Sequence, residues 1–247
     1  MQANEITIET AITQAPKHAE HLLTMAQQHR AGHKAINQCQ IIRNWHPSAG
    51  TWCYQTHIAI ADQPDYRLDW LTNIFFNAAT LVRHPWYPQF GGGKRQSLSQ
   101  PPARGIDQHQ LCWGRFDLGL SSPRYYRQLV SLALPEKNTA AIVARSVNQG
   151  PPLPDKAVLA FTPAPNGEVF HYANGRLHWH HICCTSGPAL LPPRMDRWLI
   201  NCLRYVGLDQ AERKTYRGEA EQLRDWLQGD DFEMLLPEAL AQGSADT

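Results

Sequence analysis

Glu168-Val169-Phe170-His171-Tyr172-Ala173-Asn174-Gly175-Arg176-Leu177-His178-Trp179-His180-His181-Ile182-Cys183-Cys184-Thr185 decides the fold class. Asn-Gly between two β-leaning runs is the strongest short hairpin signal, because a type I′ turn needs positive φ at both central residues. Upstream, residues 125–134 and 139–147 flank Pro135-Glu136-Lys137-Asn138 and read as a second hairpin. Residues 108–118 and 156–162 are further strands. Near the N-terminus, residues 35–45 and 51–61 flank the turn cluster His46-Pro47-Ser48-Ala49-Gly50. Strands joined by such short turns cannot form a parallel sheet, which needs crossovers of a dozen or more residues.

Three helices surround these strands. One spans residues 16–30, with Pro16 in its first turn and Gly32 ending it; the first fifteen residues read as irregular or weakly extended. A second spans residues 67–82, where Leu68, Leu71, Ile74, Phe75, Ala78, Ala79 and Val82 recur at helical spacing. It stops before His84-Pro85, since a residue preceding proline is pushed out of the α region. The glycines 91–93 and the polar stretch to Pro101-Pro102 read as the long loop. The third helix opens at Leu191-Pro192-Pro193 and carries Met195, Trp198, Leu199, Cys202, Leu203 and Val206; Gly207 interrupts it, and it resumes to Trp226-Leu227. The class is α+β. An antiparallel sheet must cover its inner face, and the terminal helix is the long apolar element left to do so.

Composition sets the outer bounds. Of 247 residues, 43% are hydrophobic and 18% charged, which provides for a core and excludes wholesale disorder. The net charge of +1 excludes a strong overall attraction to nucleic acid or anionic membrane. No uninterrupted apolar run is long enough to span a bilayer. The N-terminal residues show neither the basic nor the apolar region of a secretory leader. The six cysteines form no C-x-x-C pair and read as reduced thiols, so the expected location is cytoplasmic.

Four strings in this order resemble a known family. They are Leu120-Ser121-Ser122-Pro123-Arg124-Tyr125-Tyr126, Ala144-Arg145-Ser146-Val147, Pro154-Asp155-Lys156-Ala157-Val158-Leu159-Ala160 and Trp198-Leu199-Ile200-Asn201. Together they resemble the START lipid-transfer domain of the helix-grip superfamily. The likeness covers residues 108–228, and residues 16–107 match in element order. Tyr125 stands where the family pattern has aspartate, and Cys184 and Gly187 fall near its Asp and Gly. The resemblance implies a curved antiparallel sheet gripping the C-terminal helix around an internal hydrophobic cavity. It implies one domain over residues 16–228, with an extension at 1–15 and a tail at 229–247. The implied partner is a hydrophobic small molecule such as a sterol, phospholipid or fatty acid, with passing contact to a membrane and no nucleic acid. The alternative within the superfamily is an aromatase or cyclase acting on a polyketide-like substrate.

Candidate site residues follow from strand parity and from that resemblance. In the strand from Tyr125, Val130, Leu132 and Leu134 share the bulkier face and point inward; Leu129, Ser131 and Ala133 share the other. Arg145 could hold a carboxylate or phosphate head group. His178 and His180 share one strand face with Cys184, while Trp179, His181 and Cys183 share the opposite one. The first face is taken to present polar groups to a ligand and the second to pack. Trp113, Phe161, Met195, Leu199 and Cys202 complete the lining. A His-x-His pair with a cysteine could start a zinc site, but no spacing signature supplies further ligands, so no metal, cofactor or catalytic residue is assigned. His29 and His33 lack the acidic partner of an H-E-x-x-H motif and read as surface residues. His84-Pro85-Trp86-Tyr87-Pro88-Gln89-Phe90 reads as a proline-stiffened loop pinned by its aromatics.

Overall fold

The computed structural model describes residues 6–32, 35–46, 51–78, 90–99, 104–116, 124–152, 158–159, 162, 166–184 and 208–229. Helix α1 (Ile8–Gly32) is followed by strands β1 (Gln40–His46) and β2 (Thr51–Ile60). Helix α2 (Tyr66–Asn73) continues into one π-helical turn at Ile74–Ala78. Strands β3 (Phe90–Ser97), β4 (Gln108–Phe116), β5 (Arg124–Glu136), β6 (Thr139–Ser146), β7 (Val158–Leu159), β8 (Gly167–Ala173) and β9 (Arg176–Cys184) come next, and α3 (Leu208–Gln228) closes the order.

The strands form one curved sheet in the order β1-β2-β9-β8-β6-β5-β4-β3. All pairings along that path are antiparallel; β7 adds a two-residue parallel pairing to β5. The first hairpin and the last are joined through β2 and β9, so the sheet closes across most of the chain's length.

Both faces are covered. The inner face carries Ile58, Ile60, Val130, Leu132, Ile142, Phe170, Leu177 and Trp179, packed with Leu68 and Leu71 of α2 and with Ala220, Leu223 and Leu227 of α3. The outer face carries Ala133, Ala141, Val143, Val169, Ile182 and Cys184 under Ala15, Ala19, Leu22, Met25 and Ala26 of α1. Helix α3 is tied to its neighbours by arginines. Arg213 Nη1 donates to the Ile41 carbonyl at 2.9 Å and Arg224 Nη1 to the Asn37 carbonyl at 3.1 Å. Arg67 of α2 donates to the Leu227 carbonyl in the last turn of α3, where cations complement the helix dipole.

Several sequence expectations are corrected. Helix α1 begins at Ile8, not at Pro16. Thr7 caps it by accepting the Thr10 N–H at 3.2 Å, and Ile6 bridges to Val147, so the start is set by a cap and a β-bridge. Ala11 and Ala15 are buried, so residues 8–15 pack with the domain, and Pro16 lies inside the helix. The triple glycine is not a loop. Gly91–Gly93 lie in edge strand β3, where the register against β4 shifts between Phe90 and Gly93, a bulge that glycine accommodates. Of the strand expected over 156–162, Val158–Leu159 is strand, and residues 156–157 and 160–161 lie outside the described residues. Leu134 does not follow Val130 and Leu132 inward; it is 49% exposed at the strand's end. His29 is not a surface residue, being 5% exposed beneath α1. His33, the segment 84–89 and the helical stripe from Met195 to Val206 lie outside the described residues. Cys39, Cys53, Cys112, Cys183 and Cys184 are free thiols.

Candidate functional site

Among the described residues, the charged part of the largely apolar inner face is a node built by the β8–β9 hairpin. Asn174 and Gly175 sit at φ 53° and 71°, the type I′ geometry that two-residue hairpins favour. That turn places Glu168 directly opposite His181. Gly167 allows the placement: a Cβ there would lie 1.9 Å from the Ile142 carbonyl oxygen, so only glycine lets β8 approach β6 so closely.

Glu168 holds two partners. Its Oε1 is 2.5 Å from His181 Nδ1, and its Oε2 accepts the Trp179 indole N–H at 2.5 Å. Trp179 and His181 project to the same side because they are two residues apart on one strand. Thr56 of β2 lies opposite His181 in the next register pair. From α3, the Tyr216 ring lies 5.8 Å from His181 and 5.3 Å from Tyr54, which roofs the node with aromatic surface.

The charges there are coupled. Burial alone would lower the His181 pKa, but the Glu168 carboxylate, reinforced by hydrogen bonds with Glu168 and Cys183, raises it well above its ordinary value. His181 is therefore an imidazolium paired with Glu168 at neutral pH. Glu219 of α3 is pushed up to about 7, chiefly by burial, with Glu168 raising it and His181 opposing. Near neutrality Glu219 is divided between acid and carboxylate, so the node can both donate and accept hydrogen bonds. A second polar patch lies farther along the inner face: Gln128 Nε2 donates to Thr162 Oγ1 at 2.6 Å, and Gln110 Nε2 to the Phe76 carbonyl at 3.1 Å.

The sequence-derived candidates divide between the two faces. Val130 and Leu132 lie on the inner face with the node. Trp113 packs on the outer side against the cluster of Leu111, Leu129 and Val147. Arg145 also lies outward, acting on His18 of α1. His178 and His180 face α1 rather than the inner core: His180 is 2% exposed, its ring 6.0 Å from His29. Phe161, Met195, Leu199 and Cys202 lie outside the described residues. The strand parity is as expected: Trp179 and His181 lie on one face of β9, His178 and His180 on the face that meets α1. The face assigned to packing carries Trp179 and His181 and forms the node; the face assigned to the ligand supports α1. Glu168, Glu219, Tyr54 and Tyr216 were not singled out from sequence. Glu168 had a readable signal: it and His181 are each six residues from the turn, so they must pair.

No family model and no curated protein matches the sequence. In three dimensions the chain is similar to human StAR-related lipid transfer protein 5, with a TM-score of 0.61 and 13% identity over 90% of this chain and 98% of that one. It is also similar to a STAR-related lipid transfer protein from Xanthomonas axonopodis, with a TM-score of 0.56 and 14% identity over 80% of this chain and 97% of that one. The chain has the START fold. Of the strings that suggested this fold, Arg124-Tyr125-Tyr126 opens β5, Ala144-Arg145-Ser146 ends β6, and Val158-Leu159 forms β7. In this START fold, the face gripping α3 is the one that carries the Glu168–His181 node. Among the described residues, no helix is long and apolar enough to cross a membrane.

Proposed function

We propose that this START-fold chain binds one hydrophobic small molecule, a lipid such as a sterol, phospholipid or fatty acid, between the inner face and α3, and transfers it between membranes. The observation that carries this reading is a buried charged node set in a largely apolar face beneath a helix. Ligand sites usually combine apolar walls with a few convergent polar groups. Val130, Leu132, Ile142 and Phe170 would take the hydrocarbon, whose removal from water supplies ~25 cal/mol per Å². The His181–Glu168 pair, with Glu219 beside it, would orient the polar end. Contact with a membrane would be passing, at loading and release, from a cytoplasmic location.

Native mass spectrometry of protein purified from its own host tests this. The expected spectrum shows a one-to-one adduct of lipid mass. Leu132→Trp, which fills the inner face, should lose the adduct while the protein still melts cooperatively. Protein with no adduct that also binds no fluorescent sterol or fatty-acid analogue would overturn the proposal.

The same node favours a second reading, a cyclase-type enzyme acting on a polyketide-like substrate. His181 with Glu168 and Glu219 is an acid–base set, and His181 is then the group to test in place of His178 and His180. His181→Gln should abolish turnover in an enzyme; in a carrier it should lower affinity.

A further inference from the structure

We propose that α1 is an acid-released latch: histidines buried between it and the outer face hold it while neutral and expel it when protonated. The argument starts from the packing of those rings. His57 of β2 and His180 of β9 stack at 4.1 Å with their planes 2° apart. His57 Nε2 lies 3.1 Å from His178 Nδ1. His29 of α1 meets His57 edge-on at 5.4 Å, and His171 of β8 lies 6.0 Å from His178. Four elements thus bring five imidazoles together.

That arrangement requires neutral rings. A hydrogen bond between two imidazoles needs a lone pair on one of them, and two imidazolium ions have only donors to offer. Two cationic rings stacked face to face would also repel. Burial, and after it His57, His29, His178 and Arg30, basic side chains with no acid among them, keep the His180 pKa well below its ordinary value. Glu136 acts on His171, at the margin, where Arg30 opposes it. The cluster is not arranged for a metal. In-plane lone pairs on stacked rings run parallel instead of converging, and no group of three ligand side chains suited to a metal occurs among the described residues.

A second contact repeats the pattern about 16 Å along the helix. His18 is lowered to about 4, first by burial and then by Arg145 of β6, with His21 and Lys17 of its own helix adding. A cleft of about 140 Å³ between α1 and the sheet borders the cluster, lined by Arg30, Glu136, Thr139, His171 and His180.

Helix α1 is the element that yields. Its sheet-facing stripe sets Ala11, Ala15, Ala19 and Ala26, each burying little apolar surface, around two larger side chains, Leu22 and Met25, and Pro16 interrupts its hydrogen-bond ladder. The inner core lies on the opposite face of the sheet. Released, α1 would uncover Val143, Val169 and Ile182, giving the domain a second apolar surface only in acid.

The linkage has a definite sign. The latched state keeps the bases neutral, so the released state binds more protons below about pH 6.5. The release equilibrium then rises tenfold per pH unit for each proton taken up. His18 and His180, the two most strongly lowered, give about a hundredfold per unit, and His171, lowered by burial and by Arg30, adds a smaller share. Hydrogen-exchange mass spectrometry of the full chain from pH 7.5 to 5, corrected for intrinsic exchange, reads this directly. Peptides from residues 8–32 should lose protection at about a hundredfold per pH unit below pH 6, while β8 and β9 stay protected. H18L/H180F should flatten that dependence to within about threefold. If the double variant does not fold, His18→Leu alone should remove one proton's share, leaving about tenfold per unit. Loss of α1 and sheet protection together, or an unchanged slope in a folded variant, would overturn the latch.

Discussion

Glu219 is the residue whose charge state most affects the inner face. Its folded pKa of about 7 lies above its ordinary value of 4.5, so the folded state binds more protons than the unfolded chain between those values. Stability from this group is fully present below 4.5 and is lost as pH rises through 7. Glu219→Gln removes the cost of burying the carboxylate. The variant is expected to be more stable than the parent at pH 8, by on the order of 2–3 kcal/mol, and to differ little at pH 4.5. Urea melts at both pH values check this; equal midpoint differences at the two would refute the assignment. His181 shifts in the same sense, its stabilising contribution being present below the ordinary histidine pKa and lost as pH rises through the higher folded value, so the parent carries that dependence too and only its difference from Glu219→Gln isolates Glu219.

At the scale of elements, the hairpins were readable because their signals are local. Asn174-Gly175 alone sets the β8–β9 register, and hence the Glu168–His181 pair. Helix α1 was only half readable. Half of its ten apolar residues are alanines, whose small side chains give a faint periodic signal, and a proline at position 16 reads as a helix start. The cap at Thr7 and the bridge from Ile6 to Val147 overrode that local preference, a tertiary effect that propensity cannot register. His29 was misread for the same reason: its partners His57 and His180 come from strands far along the chain. The reading of β9 has a related limit, since parity separates two sets of side chains but does not say which set meets which helix. If Pro16 is tolerated only because burial of α1 offsets it, restoring the amide hydrogen should strengthen the helix. Pro16→Ala is expected to stabilise the protein by about 1–3 kcal/mol, seen as a raised denaturation midpoint and slower exchange in residues 8–32 at neutral pH. A destabilised variant would show that the proline ring packs productively where it is.

For the whole molecule, the sheet's closure through β2 and β9 explains why a ligand would matter to stability as well as to function. The inner face joins strands from both ends of the chain with α2 and α3, so anything bound there touches elements distant in sequence. A ligand that binds the folded state and not the unfolded one stabilises by RT ln(1 + [L]/Kd), about 2.7 kcal/mol at a hundredfold excess over Kd. For a chain of this size each kcal/mol raises Tm by roughly 2–4 °C. Protein stripped of lipid by organic extraction and refolding is therefore expected to melt about 5–10 °C below protein as isolated, and adding back the extracted lipid should restore the difference. The lost stability should concentrate where the ligand sits. Exchange should quicken in α3 and on β5, β8 and β9, with little change in α1 on the other side of the sheet. Delipidation that leaves Tm unchanged, or that loosens α1 and the inner elements equally, would place no ligand on the inner face.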